Sequence, residues 1–143
     1  MGNRAVLATR VEGVPKEYSP AIYLHWNGGR DSVEGFLKVI NEKLEVRDGD
    51  YGWARLIQTI TNFMGGTLSV GAGVITRMDQ DNFDNGVYWL KYNKQGWYIA
   101  SREFFENRKE QQEYNIEEMA DDIWKECFPK SYHDSDNISN KIK

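Results

Sequence analysis

Apolar and polar positions divide the chain into short alternating runs and longer stretches of helical spacing. Residues 3–11 have strand character, and Gly13 to Pro20 reads as a turn-rich connection. A second strand is expected over Ala21–Trp26, where Ile22, Leu24 and Trp26 alternate with Tyr23 and His25. It stops at Asn27-Gly28-Gly29. Asp31 with Glu34 then has the spacing of a capping box, and Val33, Phe36, Leu37, Ile40 and Leu44 share one helical face. After the polar break at 47–50, Trp53, Leu56, Ile57, Ile60, Phe63 and Met64 predict a second amphipathic helix over about 51–64. Gly65-Gly66 ends it in the manner of a left-handed C-cap.

Thr67–Thr76 is strand-like but interrupted by Gly71 and Gly73, a sign of a bulge or close backbone contact. Residues 79–86 form a polar loop. Val87–Tyr92 and Trp97–Ser101 flank Asn93-Lys94-Gln95-Gly96, which predicts a hairpin with a four-residue loop. Asn115 with Glu118 marks another helix start, with Ile116, Met119, Ile123, Trp124 and Cys127 or Phe128 as its apolar stripe. Pro129 closes that helix, and the polar end beyond it is expected to be disordered. The order β-β-α-α-β-β-β-α gives an α+β fold: a mostly antiparallel sheet with two central helices and a C-terminal helical extension. Residues 1–128 are expected to form one ligand-binding domain, with 103–128 as the extension and 129–143 as the tail.

Composition supports a single packed core: 143 residues, 40% of them hydrophobic. No apolar stretch approaches the ~18 residues of a membrane span. The chain also lacks a basic-then-apolar leader, so the expected compartment is the cytosol. The single cysteine, Cys127, excludes an intramolecular disulfide and a cysteine-based zinc finger. Charge is unevenly spread. Residues 1–102 carry 12 basic and 11 acidic side chains, whereas 103–128 carry 3 and 9. Neither part has the basic excess that tracking DNA or RNA requires, but scattered arginines suit a small anionic ligand.

The candidate chemistry is that of binding. Asp79, Asp81 and Asp84 fail the spacing of a calcium loop, because Phe83 and Asp84 fall at its fifth and sixth positions and Leu90 at its twelfth. Neither a metal nor a cofactor is expected. Cys127 ends an apolar stripe and reads as a core residue. His25 could act as a general base, though it has no nucleophile near it in sequence, and a structural histidine fits equally well. Trp26–Arg30 joins a strand to a helix N-terminus and suits either an anion or a tight turn. Arg55 interrupts an otherwise apolar helix and must face a rim, a partner or a ligand. Asp81-Asn82-Phe83-Asp84-Asn85-Gly86 offers groups for ribose and a ring for stacking, although its spacing favours an Asx-rich turn. Arg102 follows a strand and suits phosphate or adenine.

Four segments occur together in one family. They are Tyr23-Leu24-His25-Trp26-Asn27-Gly28-Gly29-Arg30-Asp31-Ser32, Tyr51-Gly52-Trp53-Ala54-Arg55-Leu56, Asn62-Phe63-Met64-Gly65-Gly66 and Asp84-Asn85-Gly86-Val87-Tyr88. In this order they resemble the first-described type of phage Thoeris anti-defence protein, over about residues 3–102. The resemblance implies a non-enzymatic sponge in the cytoplasm of the infected bacterium. Such proteins bind the TIR-derived glycocyclic ADP-ribose signal and withhold it from the Thoeris effector. Family members form dimers and hexamers built of dimers, and some also sequester cyclic di- or trinucleotides. Carried onto this chain, the resemblance places Arg55 and Arg102 on phosphate or adenine at a pocket rim. It places Asn82, Asp84 and Asn85 on ribose, and Phe83 in stacking. Two alternatives stand beside it. One is an enzyme that cleaves a cyclic nucleotide, with His25 as base. The other is an inhibitor whose acidic helix at 115–128 covers a host protein.

Overall fold

In the computed structural model, which describes residues 3–110 and 115–128, the chain folds as an α+β unit. Five strands, β1 (Ala5–Thr9), β2 (Pro20–Leu24), β3 (Val70–Val74), β4 (Val87–Asn93) and β5 (Gly96–Glu103), form one sheet in the order β3-β2-β1-β4-β5. Three helices accompany it: α1 (Arg30–Glu42), α2 (Gly49–Met64) and α3 (Ile116–Cys127). The sheet is mostly antiparallel, the exception being β1 and β4, which run parallel with Val6 opposite Val87. The tail at 129–143 lies outside the described residues.

Every residue of β1 is buried, because this central strand has a partner on each edge and cover on each face. One face carries Ala5, Leu7, Ile22, Leu24, Tyr88 and Leu90 under the helices. Val33, Phe36, Leu37 and Ile40 of α1 meet it, as do Leu56 and Ile60 of α2. The stripes predicted for both helices are therefore the ones that pack. The second face is a smaller cluster, Val6, Ala8, Ala21, Val87 and Trp89, closed by Ile75 and partly by Tyr23, Met78 and Phe105.

Beyond residue 102, the last helix belongs to the same core. Helix α3 buries Ala120, Ile123 and Cys127 in the main cluster, and its approach to α1 depends on Gly35. A Cβ there would sit 2.9 Å from Ile123 Cδ1. Cys127 Sγ donates to the Thr59 carbonyl at 3.2 Å, tying α3 to α2, and burial followed by the nearby Glu126 charge pushes the thiol up to about 12. Cys127 is thus a core residue, as its place on the apolar stripe predicts. Glu117, Glu118, Asp121, Asp122 and Glu126 all face outward. Removing 103–143 would therefore uncover the core as well as an acidic surface.

Several boundaries differ from the sequence pattern. Helix α1 begins two residues early, with Gly29 rather than Asp31 as N-cap, so the Asp31–Glu34 capping box does not form. The entry angle is set instead by Gly28, whose Cα lies so close to β1 that a Cβ would stand 2.6 Å from Ala5 Cβ. Asp48 caps α2 through its carboxylate on the Gly49 amide, which moves that helix start ahead of Tyr51. Gly65 ends α2 at φ 57° but ψ −129°, outside the left-handed helical region expected of the cap, and a short 3-10 turn follows. That turn and another at Ile75–Arg77 shorten the predicted 67–76 strand to five residues. The β4–β5 hairpin is tighter than expected. Asn93 pairs with Gly96, leaving a two-residue loop, and Gly96 takes φ 116°. Asn115 caps α3 as its pattern predicts, accepting from the Glu118 amide at 3.0 Å.

Candidate functional site

Strand direction gathers several loop ends at one end of the sheet. Parallel β1 and β4 both begin there, and β2 and β5, antiparallel to them, both end there. The α1 N-terminus follows directly from β2. The 79–86 loop, the residues after β5 and the Gly28-Gly29 turn therefore meet, although 50 or more positions separate the turn from the other two.

The loop is organised by Asn82, which is fully buried. Its Oδ1 accepts from the amides of Asp84, Asn85 and Gly86 at 3.1–3.2 Å, and its Nδ2 donates to the carbonyls of Asp79, Gln80 and Gly86. Asn82 and Phe83 both take positive φ (44° and 62°), a conformation asparagine tolerates better than most residues. Asn85 is also buried, donating from Nδ2 to Asn3 Oδ1 and to the Arg4 carbonyl. The expectation that Asn82 and Asn85 face ribose thus meets a correction. The Asn82 amide is spent on closing the loop upon itself and that of Asn85 on tying it to Asn3 and Arg4 just ahead of β1, as the Asx-turn reading of the spacing allows.

Asp84 accepts from the Arg4 amide and from Arg4 Nε at 2.8 Å. Partial burial acts to raise the Asp84 pKa, but the two Arg4 donors outweigh it and hold the carboxyl below its usual range. A carboxylate depressed in this way contributes stability above its unfolded pKa of about 3.9 and loses it as pH falls through the folded value. Asp84→Asn is therefore expected to lower the urea midpoint at pH 7, with the deficit shrinking markedly by pH 3. An equal deficit at both pH values would show that the Asp84 charge does not stabilise the loop.

Phe83 is 60% exposed at the loop tip, with the guanidiniums of Arg4 and Arg108 at 5.9 and 4.8 Å from its ring centroid. Arg108 also pairs with Asp81. Next to the loop, Arg102 reaches the Asn85 carbonyl through Nη2 at 2.9 Å. Its guanidinium lies 3.6 Å from the Tyr88 ring centroid and 4.4 Å from that of Phe104. The Arg102 side chain is only 9% exposed, so it is not at a rim. Burial, partly offset by the Tyr88 and Glu110 charges, lowers its pKa. Burial likewise pushes the Tyr88 phenol well above its ordinary value, and its hydroxyl donates to the Gly28 carbonyl at 2.6 Å.

A β-bulge puts Arg102 there. Trp89 pairs with Ser101 and Leu90 with Ile99, leaving Ala100 as the extra residue. Strict alternation from Trp97 and Ile99 would turn Ser101 toward the helices. The bulge substitutes Arg102, directly opposite Tyr88.

Glu110 completes the cluster. Its carboxylate accepts from Arg30 Nη1 at 2.8 Å on both oxygens and from Arg102 Nη1. Arg30 also lies 3.5 Å from Glu34. Of the residues predicted for the site, the structure brings Asn82, Phe83, Asp84, Asn85 and Arg102 together. It does not bring Arg55 to them. Arg55 is exposed in mid-α2, roughly 14 Å from the C-terminal end of that helix at 1.5 Å per residue, and its side chain reaches Gln58 at 3.5 Å.

No protein-family model, curated protein or solved structure matches this chain. Among the described residues, no cluster of three His, Cys, Asp or Glu side chains could hold a metal ion, and no helix is long and apolar enough to cross a membrane. His25, without an assignable partner in sequence, has the Tyr23 hydroxyl 3.1 Å from its Nδ1. Arg4, Arg108 and Glu110 escaped the sequence reading. Arg4 and Glu110 act on residues about 80 positions away and Arg108 on one 27 away, beyond any local periodicity.

Proposed function

We propose that this protein is a phage anti-defence sponge, sequestering the TIR-derived glycocyclic ADP-ribose signal in the bacterial host cytoplasm without degrading it. The observation that carries this reading is a pair of arginine groups at one end of the sheet: Arg4 and Arg108 beside the exposed Phe83, and Arg30 and Arg102 converging on Glu110. Guanidiniums match phosphate in geometry and charge, and an exposed ring can stack on adenine. The four-segment resemblance supplies the ligand's identity. Phe83 and the arginines are the proposed ligand contacts, with Asp84 positioning Arg4. Asn82 and Asn85 hold the loop. Arg55 joins the site only if a second subunit presents it, which fits a dimer or a hexamer built of dimers.

Titration calorimetry on protein freed of nucleotide should give saturable binding of glycocyclic ADP-ribose, with a dissociation constant well below micromolar. Binding no tighter than millimolar would count against the reading. A titration with a cyclic trinucleotide tests whether this class of ligand binds too. For the assembly, light scattering should report at least twice the chain mass at micromolar protein. A monomer mass would remove Arg55 from the proposed site.

One observation favours an enzyme instead: the Tyr23–His25 pair lies at the same end of the sheet. Turnover of the ligand, with its loss in His25→Ala, would establish that alternative.

A further inference from the structure

We infer that Arg30 and Arg102 form a phosphate site which the chain itself fills with the Glu110 carboxylate, so that a nucleotide phosphate binds by displacing Glu110. The inference rests on the nucleotide-binding reading for the identity of the ligand, and on side-chain geometry for the site. Three features support it. The first is the donor set: Arg30 Nη1 and Arg102 Nη1 converge on one oxygen, Oε1 of Glu110, and Arg30 Nη1 also serves Oε2. Two guanidiniums on one anion are characteristic of oxyanion recognition, where planar forks match carboxylate or phosphate.

The second is a donor left over. Arg102 Nε is buried and has no hydrogen-bond partner, although the side chain is more than nine-tenths buried. Its planar group is fixed between Tyr88 and Phe104, so it cannot swing out to water. A carboxylate offers two oxygens to this cradle, whereas a terminal phosphate offers three and a second negative charge. A phosphate in the place of Glu110 would keep both Nη1 contacts and bring a third oxygen and a second charge to the two guanidiniums.

The third is the way Glu110 arrives. Residues 104–110 follow β5 as a strap without strand or helix, turning through Glu106 (φ 52°) and Asn107 (φ 65°). Withdrawing Glu110 breaks ion pairs but no sheet pairing, since β5 ends at Glu103. The same place adjoins the α1 N-terminus, whose N-cap Gly29 has no side chain to shield the helix dipole.

The test uses inorganic pyrophosphate and glycocyclic ADP-ribose as separate probes on the full chain. Glu110→Gln removes the competing charge but keeps the side chain's size. It is expected to bind pyrophosphate at least about tenfold more tightly than the wild type. Pyrophosphate should also raise its melting temperature more than that of the wild type. Adding Arg30→Gln to that variant should abolish the gain. Glu110→Asp, which withdraws the carboxylate by one methylene, should shift affinity in the same direction by less, and decides the matter if Glu110→Gln does not fold. Equal pyrophosphate affinity in wild type and the folded Glu110 variant would make the triad a structural ion pair and overturn the inference. A gain that survives Arg30→Gln would overturn it too, by placing the anion elsewhere. The cyclic nucleotide separates the two claims. If it binds the wild type while Glu110 variants change neither probe, only the displacement fails. If pyrophosphate behaves as expected but the cyclic nucleotide never binds, the phosphate site stands and the sponge reading fails.

Discussion

Asn82→Ala is expected to cost about 3–5 kcal/mol of stability and to lower Tm by roughly 10 °C or more. The amides of Asp84 and Gly86 lose the acceptor that Asn82 Oδ1 provides, and Asn85 keeps only its bond to the Arg4 carbonyl. Each buried group left unpaired costs about 1–3 kcal/mol. Alanine at φ 44° adds about 1–2 kcal/mol of backbone strain. Because glycine tolerates that φ, Asn82→Gly isolates the hydrogen bonds and should still lose most of the stability. Thermal denaturation of the two variants measures the division. Were Asn82→Ala to melt like the wild type yet bind nucleotide poorly, Asn82 would be a ligand contact after all.

Arg102→Ala is expected to weaken glycocyclic ADP-ribose binding roughly ten- to hundredfold, the ~1.5–3 kcal/mol of a charge-assisted contact. Its burial adds a second effect. Truncation leaves a gap between Tyr88 and Phe104 and removes one of the two cations held on Glu110, so stability should fall as well. Arg102→Lys separates the two. Lysine keeps the charge but loses the planar fork and the ring stacking, so affinity should drop more than melting temperature. Calorimetry beside thermal denaturation checks both, and unchanged affinity in both variants would remove Arg102 from the site.

The elements legible in the sequence are those whose information is local. The α1 and α2 stripes, the β4–β5 hairpin and the Asn115 cap depend on residues within a turn or two of one another. The α1 start departs from the sequence pattern because Asp31 and Glu34 have capping-box spacing, while tight packing of Gly28 on β1 decides where the helix begins. The hairpin loop is shorter than the sequence pattern predicts because Asn93 and Gly96, turn-formers by type, close the ladder as a pair. The site was legible in part. The 79–86 loop was recognisable as chemistry-bearing, yet whether its amides face a ligand or their own backbone depends on docking to Arg4, some 80 residues away. Arg102 was identified by type, but its burial follows from a bulge at Ala100 that no periodicity announces. Arg30 gained its partner only once the strap returned Glu110 to the α1 N-terminus.

Sequestration and hydrolysis make opposite demands on the same site. A sponge working on a signal near micromolar needs roughly −12 kcal/mol of binding and no chemistry, whereas cleavage needs a placed acid–base pair or an activated water. The direct measurement is to incubate excess protein with glycocyclic ADP-ribose, heat-denature the mixture and chromatograph what is released. The account predicts the input nucleotide, recovered intact at any incubation time and able to activate a Thoeris effector. Linear ADP-ribose that rises with time and exceeds one equivalent per chain would contradict it.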